Sequence, residues 1–187
     1  VDPKTHPKIS TGLKINKFGI DIKKAVSDYE EAQRLKNIQV VGVDCHIGSQ
    51  VTELGPFIDA LGKLKELVLT LRERGFSIRY LDFGGGLGIT YKNEDPPDPS
   101  SYGRAIEEIA GDLGVTFVLE PGRVIVGNAG ILLTRVLYTK EADKNFVIVD
   151  AGMNDLARPA VYDSYHEVLP VVRREGRALQ ADVVGPI

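Results

Sequence analysis

The chain has 187 residues, 43% of them apolar, enough for one sizeable core or for parts of two. Its formal net charge of -3 and pI near 5.7 give no electrostatic basis for binding nucleic acid or an anionic membrane, and its Lys and Arg are interleaved with acids rather than grouped. The single cysteine, Cys45, cannot close an internal disulfide, no apolar run nears the roughly 20 residues of a membrane span, and no leader pattern opens the chain, so a cytoplasmic location is expected.

Residues 1–20 read as a loop punctuated by Pro3, Pro7, Gly12 and Gly19. Asp21 is placed to cap a helix whose apolar positions Ile22, Ala25, Val26, Tyr29, Ala32 and Leu35 keep a helical period. Residues 38–47 read as a strand. Gly55-Pro56 then opens a second helix with proline at its first position; Phe57, Leu61, Leu64, Val68 and Leu71 form its buried stripe and Gly75 ends it. A strand at 77–83 is followed by a loop at 90–101 carrying Pro96, Pro97 and Pro99, a third helix at about 102–113 and a strand at 115–120. Beyond Gly122 the rhythm changes: 130–140 and 145–151 are β-rich with no helix between them, and short strands are expected at 167–174 and 177–184. The shift divides the chain into β/α units at 1–129 and a second, mainly antiparallel β domain at 130–187. The ends, Val1-Asp2-Pro3 and Val184-Gly185-Pro186-Ile187, carry neither cap nor polar tail and read as those of an internal segment.

Three strand ends share one property. His46-Ile47-Gly48-Ser49-Gln50, Asp82-Phe83-Gly84-Gly85-Gly86 and Glu120-Pro121-Gly122-Arg123 each follow a short β-branched run. Polar groups at the C-terminal ends of successive parallel strands are how an α/β barrel builds an active site. Alternation places Val41, Val43, Cys45 and Ile47 on one face and Gly42, Asp44 and His46 on the other. By the same parity Leu81 and Phe83 oppose Tyr80, Asp82 and Gly84, while Phe117 and Leu119 oppose Thr116, Val118 and Glu120. All three strands then aim a functional group or bare backbone at the barrel mouth.

Gly84, Gly85 and Gly86 could bring backbone N–H groups close to a phosphate, or could simply make a tight turn. Glu120 beside Arg123 could be a structural ion pair, or a carboxylate that keeps a heteroaromatic nitrogen protonated, as pyridoxal phosphate requires. His46 could be a hydrogen-bonded core residue, or could stack on a ring or move protons. No metal is expected: His6, His46 and His166 lack ligand spacing, and Cys45 faces away from His46. The dinucleotide fingerprint and the nucleophile elbow are both absent.

Together with Asp150-Ala151-Gly152-Met153-Asn154-Asp155-Leu156-Ala157-Arg158-Pro159-Ala160-Val161-Tyr162, the three strand-end motifs closely resemble those of diaminopimelate decarboxylases. Ser10-Thr11-Gly12 and Lys17-Phe18-Gly19-Ile20 are similar to that family's as well, so the resemblance covers nearly the whole chain. It implies the C-terminal part of a pyridoxal 5'-phosphate-binding (β/α)8 TIM barrel followed by part of a β domain, in a homodimeric parent that decarboxylates meso-diaminopimelate to L-lysine. It implies that His46 stacks on the cofactor ring, that Ser49 helps hold it, and that Gly84, Gly85 and Gly86 cradle the phosphate with Gly122 and Arg123 beside it. Glu120 would pair with the pyridine nitrogen; Arg123, Arg158 and Tyr162 would bind substrate carboxylate. The family's cofactor-linking lysine would lie upstream of Val1, and its Cys-Glu pair and a further Tyr beyond Ile187, so the 187 residues alone are expected to be inactive. Two alternatives share these motifs: a related basic amino-acid or carboxynorspermidine decarboxylase, and a non-catalytic pyridoxal phosphate-binding regulatory protein.

Overall fold

A computed structural model describes residues 2–3, 18–172, 175–176 and 180–186. The opening motifs before Phe18 lie outside the described residues. The chain forms two units: Val1–Thr90 with Glu94–Asn128, and Tyr91–Asn93 with Ala129–Ile187.

In the first unit, Asp21 caps α1 (Ile22–Arg34) by accepting a hydrogen bond from the Lys23 N–H. Of its apolar stripe, Ala25 is buried, while Ile22 and Leu35 are 53% and 49% exposed. They stand at the two ends of the helix, while its middle is anchored: the Tyr29 hydroxyl donates to the Gly42 carbonyl at 3.1 Å, and its ring meets Phe76 edge-on. α2 (Gly55–Glu73) starts on Pro56 and buries Phe57, Ala60, Leu61, Leu64, Leu67, Val68 and Leu71, a stripe at helical spacing. Gly75, with φ +88°, ends it.

The strands are β1 (Gly42–Asp44), β2 (Tyr80–Asp82) and β3 (Thr116–Val118). They form one parallel sheet in sequence order, with Val43 beside Leu81 and Leu81 beside Phe117. A parallel neighbour requires a crossover, and α2 and α3 (Pro99–Ala110) supply one each. The strands are shorter than their β-branched runs, although backbone bonds from Arg79 N–H to Val41 O and from Cys45 N–H to Asp82 O extend the pairing at both ends.

α3 begins three residues before the expected boundary. Asp98 accepts hydrogen bonds from the Ser100 and Ser101 N–H groups, and Pro99 needs no partner at the first helical position. The last turn tightens to a 3₁₀ helix, Gly111–Leu113, closed by Gly114 at φ +59°. Lys65 of α2 bonds the Ile109 carbonyl and Asp112, and Arg72 bonds the carbonyls of Leu113 and Ile78, tying α2 to the end of α3 and to the approach to β2.

The second unit contains β4 (Val136–Lys140), β5 (Phe146–Val149), the short helix α5 (Arg158–Tyr162) and β6 (Asp182–Val184). Its sheet is mixed: β4 and β5 pair antiparallel, while β5 and β6 pair parallel. Connection length explains the difference. Five residues between β4 and β5 permit only a hairpin, whereas the long return through α5 lets β6 re-enter in the same direction. Residues 167–172 carry no strand, and 173–174 and 177–179 lie outside the described residues.

Leu81 is fully buried on the central strand and packs in one core with α2 and α3. Leu81→Ala should cost about 2–5 kcal/mol, read as a fall in the urea midpoint at unchanged slope. A loss under about 1 kcal/mol would mean that this strand does not organise the core.

Candidate cofactor and substrate site

The alternation seen in the sequence sorts the side chains of the three barrel strands. Val43, Leu81 and Phe83 are buried and Phe117 is half-buried, while Asp44, His46, Tyr80, Thr116, Val118 and Glu120 are exposed on the opposite side. Leu119 departs from the pattern at 44% exposure. The chain leaves the strand after Val118, and the next backbone bond runs from the Glu120 N–H to the Gly84 carbonyl.

The glycine run joins the three strand ends. The Gly84 N–H donates to Asp82 Oδ1 at 2.8 Å, and the Gly85 N–H donates to His46 Nδ1 at 3.2 Å. A β-carbon at Gly84 would lie 2.7 Å from the Cys45 carbonyl oxygen and 2.9 Å from His46 Nδ1. One at Gly85 would strike the Glu120 carbonyl oxygen, and one at Gly86 that of Gly48. Gly84 and Gly86 also have φ of +64° and +98°. The run is therefore glycine because neighbouring backbone fills the space. Two of the three N–H groups of the run are spent within the protein, and that of Gly86 makes no hydrogen bond among the described residues.

An N–H that donates into Nδ1 of His46 requires the lone pair there, so the neutral ring carries its proton on Nε2. Glu120 is exposed, and its carboxylate makes no hydrogen bond or ion pair among the described residues. The local pair with Arg123 does not form. Arg123, first in the short helix α4 (Arg123–Val126), instead donates from Nη1 to Gln50 Oε1 at 2.9 Å. Gln50 also accepts from the Ile89 N–H and donates to the Ile89 carbonyl, and its own φ is +57°. It thus gathers the loop after β1, the segment after the glycine run and α4. Sequence reasoning assigned Gln50 no role; its signal was an amide at the end of a strand-end motif. Ser49, half-buried, lies just before it, and Gly122 is the N-cap of α4.

Asp44 lies directly across from Asp82 in the sheet register. Partial burial, and then the negative charge of Asp82, push its carboxyl above the usual range, with His46 pulling the other way.

In the second unit, α5 places Arg158 and Tyr162 one turn apart on one side. The Arg158 guanidinium carbon lies over the Tyr91 ring and its Nη1 meets His166; the sequence assigned no role to Tyr91, and named His166 only in excluding a metal site. Arg123 belongs to the first unit and Arg158 and Tyr162 to the second.

The donor set of the first unit suits an anionic aromatic cofactor with a basic ring nitrogen. The Gly86 N–H and the Arg123 guanidinium can meet an anion, His46 presents a flat ring, and Glu120 supplies a carboxylate uncompensated by any described cation. Among the described residues, no group of three or more His, Cys, Asp or Glu could hold a metal ion, and no helix is long and apolar enough to cross a membrane.

A family model described as the pyridoxal-dependent decarboxylase, pyridoxal binding domain, matches residues 1–127. A diaminopimelate decarboxylase of Aquifex aeolicus is 49% identical over 189 residues, covering 100% of this chain and 45% of that protein. One from Pseudomonas aeruginosa is 54% identical over 188 residues, with 100% and 45% covered. The crystal structure of diaminopimelate decarboxylase from Helicobacter pylori complexed with L-lysine is similar with a TM-score of 0.95 at 42% identity, covering 100% of this chain and 47% of that one. Lysine/ornithine decarboxylase from Vibrio vulnificus, complexed with cadaverine, shares the fold at a TM-score of 0.81 and 24% identity, over 94% of this chain and 48% of that one. The chain spans just under half the length of these relatives.

The Gly85 bond sets the His46 tautomer, so selective ¹⁵N labelling of the imidazoles should show His46 protonated at Nε2 and not at Nδ1. The reverse pattern would mean that the Gly85 contact does not form in solution. For Asp44 the folded state favours the neutral carboxyl, so the wild type loses stability as pH rises from the ordinary aspartate range through the raised value. Asp44→Asn removes that loss, and should slightly raise Tm at pH 7 while leaving it unchanged in strong acid. The gain is small because the side chain is exposed. A lower Tm at pH 7 would mean that ionised Asp44 has a stabilising partner.

Proposed function

The chain belongs to the pyridoxal-dependent decarboxylase family, and from that premise we propose that the full-length protein removes one carboxylate of meso-diaminopimelate and releases L-lysine and CO₂. The observation that carries the substrate is identity of 49% and 54%, spread over the whole chain, to proteins named for that reaction, against 24% to a lysine/ornithine decarboxylase. In this reading residues 1–129 are barrel and 130–187 belong to a β domain, and the protein works as a homodimer in the cytoplasm.

When bound, pyridoxal 5'-phosphate supplies an electron sink for the pair left by the departing carboxylate. Glu120 holds a proton on the ring nitrogen, the task for which an anionic side chain with no competing cation is suited. His46 offers its ring face and an Nε2 proton, its rotation fixed by Gly85. The Gly86 N–H receives the phosphate, and Ser49, Gly84, Gly85, Gly122 and Arg123 complete the proposed cradle. Arg123, braced by Gln50, binds substrate carboxylate, as do Arg158 and Tyr162 of the second unit, and a guanidinium fork discriminates by geometry as well as charge. A proton then takes the place of CO₂ on the reacting carbon.

The test is lysine formation by the purified full-length protein from meso-diaminopimelate, beside lysine and ornithine as competing substrates. Turnover of ornithine but not diaminopimelate would replace this reading with that of a related basic amino-acid decarboxylase. Glu120→Gln should retain the cofactor and lower kcat at least about tenfold, or roughly 1.4 kcal/mol of barrier. Unchanged turnover would mean that another group sets the protonation of the ring.

A further inference from the structure

We propose that Tyr91 and His166 are positioning residues that hold the Arg158 guanidinium in one plane and one rotation, leaving its Nε–Nη2 edge for a substrate carboxylate. This rests on the reading above in which Arg158 binds substrate. All three side chains belong to the second unit, which takes in Tyr91–Asn93.

The geometry constrains Arg158 twice. Its Cζ lies over the Tyr91 ring at 4.6 Å from the centroid, close enough for cation–π attraction, and a planar cation on a ring face loses its freedom to tilt. Its Nη1 lies 3.2 Å from His166 Nε2. Arginine has only donors, so Nε2 must accept, and the neutral His166 proton sits on Nδ1. That contact fixes rotation about the guanidinium axis. The two partners also fix each other, with ring centroids 5.3 Å apart at 76°.

What remains is directional. The Nη1 side abuts His166, while Nε and Nη2 make no hydrogen bond among the described residues. Two parallel N–H groups on that edge match the two oxygens of a carboxylate. An arginine without this clamp would have to be ordered by the substrate itself, at a cost in affinity. Tyr91 and His166 would therefore act on binding, not on the bond-breaking step.

The test uses the full-length holoenzyme and two readouts, steady-state kinetics and the affinity for L-lysine by titration calorimetry. Tyr91→Leu and His166→Ala should each raise KM for diaminopimelate, and weaken L-lysine binding, about tenfold at nearly unchanged kcat and cofactor absorbance. Tyr91→Phe keeps the ring and His166→Gln keeps an acceptor, so both should remain close to wild type. Arg158→Lys should raise KM at least as far, because an ammonium has no fork. If Arg158→Lys raises KM while Tyr91→Leu and His166→Ala do not, the clamp is overturned and the substrate-binding role of Arg158 stands. If Arg158→Lys leaves both readouts unchanged, Arg158 does not bind substrate, and the proposal falls with that reading. Failure of His166→Gln to recover what His166→Ala loses would also overturn it.

Discussion

Three consecutive positions that cannot carry a β-carbon bring the ends of three strands into contact. At Gly84 the space is filled by the backbone and ring of the Cys45-His46 segment, at Gly85 by the Glu120 carbonyl, and at Gly86 by the Gly48 carbonyl. Any side chain there would wedge β1 or β3 away from β2. The consequences are local and specific: His46 can reach the Gly85 N–H, Glu120 can bond the Gly84 carbonyl, and the stretch around Gly48 can run beside Gly86 to the Val51–Leu87 bridge. Tight van der Waals exclusion, usually a concern of the core, here organises polar groups at the rim.

The same closeness divides the work of two oppositely charged neighbours. Glu120 and Arg123 lie three positions apart, near enough in the chain for an ion pair to form. Gln50 instead takes up Arg123, leaving the Glu120 carboxylate uncompensated. A neutral amide is the right brace for this purpose, since it orients a guanidinium without cancelling its charge.

Elements set by local chemistry were legible in the amino-acid order. The stripe of α2 with Pro56 and Gly75 at its ends, the Asp21 cap and the alternation in β1 and β2 all follow from periodicity and end signals. The start of α3 was legible too, but the Asp98-Pro99 cap was absorbed into a proline-rich loop. What could not be read depends on partners distant in the chain. Gly85 meets His46 39 positions away, and Arg123 meets Gln50 73 positions away, so the spent N–H groups and the brace emerge only when strands are adjacent. The exposure of Leu119 reflects where the strand ends, which alternation alone cannot specify. The parallel return of β6 depends on a connection whose path has no periodic signature.

The second unit borrows Tyr91–Asn93 from the middle of the first, so the chain crosses between the units three times rather than once. A single boundary near residue 129 leaves Tyr91–Asn93 on the other side from the rest of the unit they pack in. A cut or graft at that boundary would carry Arg158 and His166 away together but leave behind the ring on which the guanidinium rests. A chimera that exchanges β domains between relatives inherits half of the clamp from each parent, and its substrate affinity then reports the compatibility of a three-residue insert as much as that of the transplanted domain.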